Sequence, residues 1–314
     1  PHRAPVMWRS WPRRFVAPHF ALSRCTALRN CSMACCGSGV LSFLSTGRAA
    51  AAVADGVAPN GSPLPQVPHR VVRREEVCKG PGGRLIFVGD VHGCVAELQH
   101  LLSLEKFDAC RDTLVFVGDL ANKGPHTGEV LRVAREAGAL CVRGNRDDDL
   151  LQAHLRVGKY AGGLENYRHK ALGQVSDADV KWLQEWPLSM TFPWLGVIVV
   201  HAGLVPGFAL HRQRFEDLLW VRDVRRTADG GWEGLEQPAP DAEPWGATRP
   251  GPELVVFGHD AKRSLQEHRF AIGLDTGCCY GKALTALIMD PDDASRRRFQ
   301  SVPALRDYRF GPGG

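Results

Sequence analysis

Short apolar runs alternate with amphipathic segments along residues 85–155. The runs at 85–88, 114–117 and 140–142 have the length and composition of buried strands. Apolar positions at helical spacing over 96–104 and 129–137 predict two helices, and the acidic sequence GNRDDD predicts the start of a third. Three strand–helix units in succession imply a mostly parallel sheet flanked by helices.

The second half of the chain is richer in strands. Ser176 and Asp179 form a capping-box sequence, which predicts a helix that continues to about residue 186. Strands are predicted at 196–200 and 254–257, and a hairpin across 270–289. Four aromatic residues are predicted to lie in the core rather than to stack on a nucleotide base: Trp182, Trp186, Phe192 and Trp194. The layout predicts one domain of two packed sheets with helices outside.

The composition divides the 314 residues into a folded body and two tails. Residues 1–81 are rich in Arg and then in Ala, Pro and Gly, with no acidic residue before Asp55, and we expect a flexible extension. Arg-rich, acid-poor composition is typical of a transit peptide, so a plastid or mitochondrion is the expected location, with the cytoplasm as the alternative. Residues 82–291 are the predicted folded domain, and residues 292–314 a flexible tail.

The net charge of +5 is distributed unevenly. Residues 1–80 carry 11 basic and 3 acidic residues, and the remaining 234 carry 28 and 31, a net charge of −3. A broad cationic face for nucleic acid is therefore not expected on the folded body, because binding to the phosphate backbone needs clustered basic residues there. The uncharged stretch 30–47 is half Asn, Ser, Thr and Gly, which is too polar to cross a bilayer, so no membrane span is predicted.

Five predicted strands end in loops that place metal-binding side chains next to glycine, in the sequences GDVHG, GDLANKG, GNRD, HAG and GHD. One such loop is explained by a histidine buried in the core, but five are not. Carboxyl ends of strands are where α/β sheets bind ligands. The loops supply two carboxylates, one amide and three imidazoles without a thiolate, a set that suits Mn, Zn, Fe or Co: Asp90, His92, Asp119, Asn145, His201 and His259.

Six ligands exceed what one catalytic ion needs, so we expect two divalent metal ions that share Asp119. Such a pair lowers the pKa of a bridging water enough to form hydroxide near neutral pH.

The order and spacing of these motifs resemble the calcineurin-like metallophosphoesterases of the phosphoprotein phosphatase superfamily. FGHDA and GLDTGCCYGKALTAL are similar to the ApaH branch, which contains the symmetrical diadenosine tetraphosphate hydrolases and the eukaryotic ApaH-like phosphatases. The resemblance covers residues 84–290. It implies a four-layer α/β/β/α sandwich with a dinuclear metal centre at the strand carboxyl ends, and it assigns the six side chains above as the metal ligands.

The resemblance also suggests residues that bind phosphate and residues that act in catalysis. Lys123 takes the place of the family's phosphate-binding arginine, and Arg222, or alternatively Arg249, is the candidate for a second. The family's general-acid histidine is replaced by Arg146, and the aspartate that orients that histidine in protein phosphatases is replaced by Asn122. Together with Asp147, these two residues are the candidate catalytic residues.

Arg146 changes the expected chemistry, because a guanidinium does not give up a proton near neutral pH. A general acid matters most for a poor leaving group such as a serine alkoxide, whereas a nucleotide leaves as a stable anion. The expected function is hydrolysis of a phosphoanhydride in a dinucleoside polyphosphate, polyphosphate or similar substrate. A Ser/Thr-type protein phosphatase and a catalytically impaired protein that binds metal and nucleotide are the alternatives, and phosphoproteins and capped RNA stay open as substrates.

Overall fold

The structure, a computed structural model, describes residues 69–164 and 170–309. Residues 1–68, which form most of the predicted extension and transit peptide, lie outside the described residues. The described residues contain five α-helices, and four of them confirm the predicted helices, with each predicted end within two residues: α1 Val95–Leu104, α2 Thr127–Glu136, α3 Asn145–Leu155, α4 Asp177–Gln184 and α5 Phe215–Trp220. None of these helices is long and apolar enough to cross a bilayer.

Local sequence explains where two of these helices begin. In α4 the backbone N–H of Asp179 donates to Ser176 Oγ (3.2 Å), and Ser176 N–H donates to Asp179 Oδ2 (3.0 Å), which completes the predicted capping box. In α3 the N–H of Gly144 donates to Asp147 Oδ2 at 3.0 Å, and two aspartates lie in the first turn, where they favour the positive end of the helix dipole.

The described residues form fourteen strands: β1 His69–Val71, β2 Leu85–Val88, β3 Thr113–Phe116, β4 Leu140–Cys141, β5 Ser189–Phe192, β6 Val197–Val200, β7 Asp223–Arg226, β8 Trp232–Leu235, β9 Glu243–Pro244, β10 Leu254–Phe257, β11 Gln266–Glu267, β12 Ala271–Gly273, β13 Ala283–Asp290 and β14 Asp293–Pro303. They build a five-stranded sheet in the order β14-β13-β2-β3-β4, a six-stranded sheet in the order β1-β5-β6-β10-β12-β11, and a three-stranded sheet β8-β7-β9.

Both large sheets are mixed rather than mostly parallel. In the five-stranded sheet, β2, β3 and β4 are parallel, as predicted from the alternation of strands and helices, whereas β13 and β14 pair antiparallel. In the six-stranded sheet, β6, β10 and β12 are parallel and β5 runs antiparallel to β6.

The predictions for the end of the chain were wrong in two respects. The segment 270–289 is not a hairpin, because β12 belongs to one large sheet and β13 to the other. The hairpin is formed by β13 and β14, so residues 293–303 are a paired strand and not the start of a flexible tail at residue 292. Exposed polar residues alternate with few apolar ones in β14, which is typical of an edge strand and hides its β periodicity. At the other end, β1 pairs with β5, so the domain also begins before residue 82.

The two large sheets stack face to face. Leu85 and Phe87 of β2 point into the core between the sheets, and Ile86 and Val88 point to the core under helices α1–α4. Because both faces of the sheet are covered at β2, all four residues of this strand are apolar. Phe87 and Phe192 meet edge to face across the sheets, with ring centroids 5.8 Å apart. The outer face of the six-stranded sheet is covered by α5 and the three-stranded sheet.

The predicted aromatic cluster is part of the core. Trp186 is buried, and Trp182 packs edge to face against it at 4.9 Å beside the helices. Phe192 and Trp194 belong to the core between the sheets. None of the four lines the cavity described below.

Candidate metal centre

The stacked sheets bring the five predicted loops to one place. The loops after strands β2, β3 and β4 of one sheet and after β6 and β10 of the other carry the predicted ligands, in chain order Asp90 and His92, Asp119, Asn145, His201 and His259. All six side chains are buried, and none is more than 7% exposed. The structure therefore gathers all six predicted ligands at the carboxyl ends of parallel strands.

Asp90, Asp119 and His201 form the centre of the group. One ligand atom from each lies within 4.8 Å of the others. His92 Nε2 lies 3.5 Å from Asp119 Oδ2 and 3.8 Å from Asp90 Oδ2. Asp119 thus faces an imidazole on each side, because its Oδ1 lies 3.5 Å from His201 Nε2.

Asn145 joins the remaining ligands to this group. Its Oδ1 lies 2.9 Å from His201 Nε2 and 3.2 Å from His259 Nδ1. The two imidazole rings pack edge to face with centroids 5.1 Å apart.

The protonation of the histidines indicates what the group can bind. Burial lowers the pKa of His92 to about 3 and also lowers the pKa of His201, so both rings are neutral at pH 7. Nδ1 of His92 lies 3.1 Å from the Ala121 carbonyl, and Nδ1 of His201 lies 2.9 Å from the Val117 carbonyl. A neutral imidazole has one N–H. That hydrogen must be on Nδ1, because a carbonyl oxygen can only accept a hydrogen bond. Each Nε2 therefore carries a lone pair that faces carboxylate oxygens.

This arrangement fits a divalent cation. Lone pairs and carboxylate oxygens that converge in a buried space repel one another unless a positive charge lies among them. Lys123 supplies one such charge, since its ammonium donates to His92 Nε2 at 2.7 Å. His259 Nε2 is buried and has no hydrogen-bond partner, so it too is open to a metal ion. Backbone carbonyls that hold Nδ1–H are also the usual outer partners of histidine ligands.

Backbone conformation at the site is unusual. The φ values are 48° at His92, 53° at Asp119 and 68° at His259. These values lie in the left-handed region, which residues other than glycine rarely adopt. Such strain concentrates at functional sites. A Cβ on Gly258 would lie 2.1 Å from Asp90 Oδ1, so only glycine lets the backbone approach this carboxylate.

The three predicted catalytic residues occupy different positions. Asp147 accepts hydrogen bonds from the backbone N–H groups of Asp119 (2.7 Å), Ala121 (2.9 Å) and Gly144 (3.0 Å), so it holds two of the ligand loops together. The amide of Asn122 donates to the Arg146 carbonyl at 2.9 Å and links the same loops. The six predicted ligands are called the metal-binding group below, and a cavity opens beside them. Of the predicted catalytic residues, only Arg146 lines this cavity.

Arg146 is held from two sides. Its Nη1 donates to Asp149 Oδ2 at 3.0 Å, and its guanidinium lies 5.6 Å from the centroid of the Trp220 ring. Its backbone N–H donates to Asp119 Oδ1 at 2.7 Å. The side chain thereby brings a fixed positive charge next to the metal-binding group.

A cavity of about 370 Å³ opens directly over the group and is lined by Asp119, Asn145 and His259. Of the predicted phosphate-binding residues, Lys123 and Arg222 also line it. Arg249 does not, and it pairs instead with Glu253 at 3.1 Å. Three further basic residues that the sequence did not single out complete the lining: Lys262, Lys282 and Arg309.

A buried carboxylate that sequence reasoning missed lies behind the group. Burial and the neighbouring charge of Asp275 raise the pKa of Asp90 well above its usual value. The two carboxylates disfavour each other's charge, and a bound cation would relieve this. The signal was in the sequence, because Asp275 follows strand β12 in GLDTG, just as the six predicted ligands follow their strands.

The stacked mixed sheets and the Asp/His group at their strand ends define a metallophosphoesterase architecture. The family model of calcineurin-like phosphoesterases matches residues 83–263, more than half of the chain, and the chain belongs to this family. It is therefore a phosphoesterase of the hydrolase class.

Relatives within the family are symmetrical bis(5'-nucleosyl)-tetraphosphatases. The one from Coxiella burnetii (strain RSA 331 / Henzerling II) is 32% identical over 71% of this chain and 92% of its own length. The one from Aromatoleum aromaticum is 29% identical over 68% of this chain and 94% of its own length. A crystal structure assigned as a diadenosine tetraphosphatase is 33% identical, with a TM-score of 0.65 over 76% of this chain and 98% of that one.

Proposed function

We propose that the protein hydrolyses a phosphoanhydride bond in a dinucleoside polyphosphate, with diadenosine tetraphosphate as the leading substrate. The observation that carries the proposal is the cavity over the metal-binding group. Six basic side chains line it, although the folded body has a net negative charge. A chain of several phosphates needs such a concentration of positive charge, whereas a single phosphate does not. The relatives are named for the same class of substrate.

The six buried ligands would hold two divalent metal ions, for which Mn, Zn, Fe and Co are all suitable. When bound, such a pair lowers the pKa of a water molecule and neutralises charge on phosphate oxygens. Asp119 is the proposed shared ligand, since it faces imidazoles on both sides. The Nδ1–H contacts to the Ala121 and Val117 carbonyls orient the rings of His92 and His201.

The basic residues of the cavity would bind and orient the phosphates. Lys123 and Arg222 lie where they can pair with non-bridging oxygens, and Arg146 adds a charge directly beside the metal-binding group. Asp147 and Asn122 would be positioning residues, because their hydrogen bonds fix the loops that carry Asp119 and Arg146. Ion pairs and hydrogen bonds that are fixed before the reaction stabilise developing charge without reorganisation.

Arg146 favours an anhydride over a phosphoester. Hydrolysis of an anhydride releases a nucleotide anion, which needs charge stabilisation and no proton. A serine phosphate releases an alkoxide, which needs a proton that Arg146 does not supply. We therefore expect dinucleoside polyphosphates to be better substrates than phosphoproteins.

The test uses the full chain loaded with manganese or zinc. Product release is measured from diadenosine tetraphosphate, long-chain polyphosphate and a phosphoserine peptide at equal concentrations. We expect turnover of the tetraphosphate, and cleavage of the phosphopeptide slower by at least about 10²-fold in kcat/KM. Faster cleavage of the phosphopeptide would support the protein phosphatase alternative. No turnover by protein that holds two metal ions would support the catalytically impaired alternative.

A further inference from the structure

Five of the six basic residues of the cavity, all but Arg222, fall into two sets. Lys123 and Arg146 follow the first strands of the five-stranded sheet and contact the metal-binding group or its loops. Lys262, Lys282 and Arg309 are exposed and come from the last third of the chain. The second set thus lies at the solvent-exposed part of the cavity.

The second set is assembled by contacts between distant segments. Lys282 Nζ donates to the Ala261 carbonyl at 3.1 Å, which ties it to the loop that carries Lys262. The Ala304 N–H donates to the Lys282 carbonyl at 2.8 Å, so the chain beyond β14 runs alongside. Arg309 then reaches the cavity from the end of the described chain, and its guanidinium also pairs with Asp307, with Nη2 2.6 Å from Oδ2.

Four further interactions dock the segment 304–309. Tyr280 and Asp307 form an antiparallel bridge, and the Tyr308 N–H donates to the Cys279 carbonyl at 3.0 Å. Glu97 of α1, which is buried, accepts from Tyr308 Oη (2.6 Å) and from the Leu305 N–H (2.8 Å). A buried carboxylate with two donors fixes the segment more firmly than surface contacts do.

Docking places the Arg309 guanidinium 5.4 Å from the centroid of the Tyr280 ring, which itself lines the cavity. Lys123 Nζ lies 5.0 Å from the same ring. Tyr280 therefore contacts one member of each set, Lys123 and Arg309.

We propose that Lys262, Lys282 and Arg309 form a second phosphate subsite, held in place by the docked segment 304–309, that binds the phosphates of a polyphosphate chain farthest from the metal ions. The inference deepens the proposed function and rests on it for the identity of the substrate. It makes a separate prediction, since the subsite should distinguish a chain of phosphates from a single phosphate.

The experiment is isothermal titration calorimetry on full-length, metal-loaded protein. The two probes are a methylene-bridged diadenosine tetraphosphate, which is not hydrolysed at the bridge, and inorganic phosphate. Arg309→Ala is compared with Arg306→Ala, whose exposed side chain lies 5.0 Å from the Tyr308 ring and does not line the cavity. Tyr308→Phe removes the hydrogen bond to Glu97 and keeps the ring.

We expect Arg309→Ala to weaken binding of the tetraphosphate analogue about 10-fold, the effect of one charge-assisted contact, and to leave binding of phosphate unchanged. Tyr308→Phe should give a smaller loss in the same direction, and Arg306→Ala none. Equal affinity of Arg309→Ala and wild type for the analogue would overturn the subsite, as would an equal loss for both probes. If the wild type binds the analogue through Arg309 but hydrolyses no anhydride, the subsite stands and the proposed function fails.

Discussion

Replacing Arg146 by histidine separates the chemistry of the site from its stability. The exchange removes the ion pair to Asp149 and the contact with the Trp220 ring. The Arg146 side chain is 31% exposed, so after discounting for solvent the ion pair contributes about 0–1 kcal/mol. The ring contact contributes about 0.5–1 kcal/mol. The backbone hydrogen bond to Asp119 is kept, because histidine has the same backbone N–H as arginine.

The kinetic effect should depend on the leaving group. A general acid accelerates a reaction by about 10²- to 10⁴-fold, and only a poor leaving group needs it. We therefore expect Arg146→His to raise kcat/KM for a phosphoserine peptide about 10²-fold, the low end, since Asn122 replaces the aspartate that would orient the new imidazole. For diadenosine tetraphosphate we expect a decrease of no more than about 10-fold, because one of several charges is lost.

The assay compares steady-state kcat/KM for both substrates in wild type, Arg146→His and Arg146→Gln. Glutamine has neither the charge nor a transferable proton, so it should lower anhydride hydrolysis without raising ester hydrolysis. Parallel changes on both substrates in Arg146→His would refute the reasoning, since they would show that residue 146 does not act through the leaving group.

Two further predictions concern the ligand loops and the fold. Gly258→Ala should reduce the amount of bound metal measured by mass spectrometry, because the new Cβ would lie 2.1 Å from Asp90 Oδ1. Gly162→Ala is the matched control, since a Cβ there would have no atom within 4 Å. Retention of full metal content by Gly258→Ala would contradict the geometry. Asp112→Asn should lower the free energy of unfolding by about 2–3 kcal/mol in a denaturant titration at pH 7, because the fully buried carboxylate pairs with Arg84 at 2.7 Å. Burial alone would raise the pKa of Asp112, but the hydrogen bonds from Arg84 hold this pKa below its usual value. The contribution of the Asp112 carboxylate to stability is therefore present above about pH 4 and is lost as the pH falls through the folded-state pKa. The exposed Asp292→Asn should leave the midpoint unchanged, and an equal effect of the two exchanges would contradict the role of burial.

The ligand loops could be predicted from the sequence because the chemistry there is local. Each ligand follows a buried apolar strand within a few residues, and parallel strands bring their carboxyl ends together. Asp90 and Asp119 are therefore neighbours by the pairing of β2 with β3 alone. Asp275 obeys the same rule and was missed because β12 has only three residues, too few for a periodic signal.

The outer part of the cavity could not be predicted, because it depends on tertiary contacts. Arg309 follows an edge strand whose polar residues look like a solvated tail. Its position depends on the hydrogen bonds from Tyr308 and Leu305 to Glu97, more than 200 residues earlier in the chain. The choice between Arg222 and Arg249 depended in the same way on how β7 and β9 pack, and only Arg222 lines the cavity.

The most direct test of the account is the product pattern from diadenosine tetraphosphate. Metal-loaded wild-type protein is incubated with the substrate, and nucleotides are separated by anion-exchange chromatography while bound metal is measured in the same preparation. Hydrolysis between the two central phosphates is predicted, with ADP as the only nucleotide product. No nucleotide release by protein that holds two metal ions would contradict the central claim, whereas ATP and AMP in equal amounts would contradict only cleavage between the central phosphates.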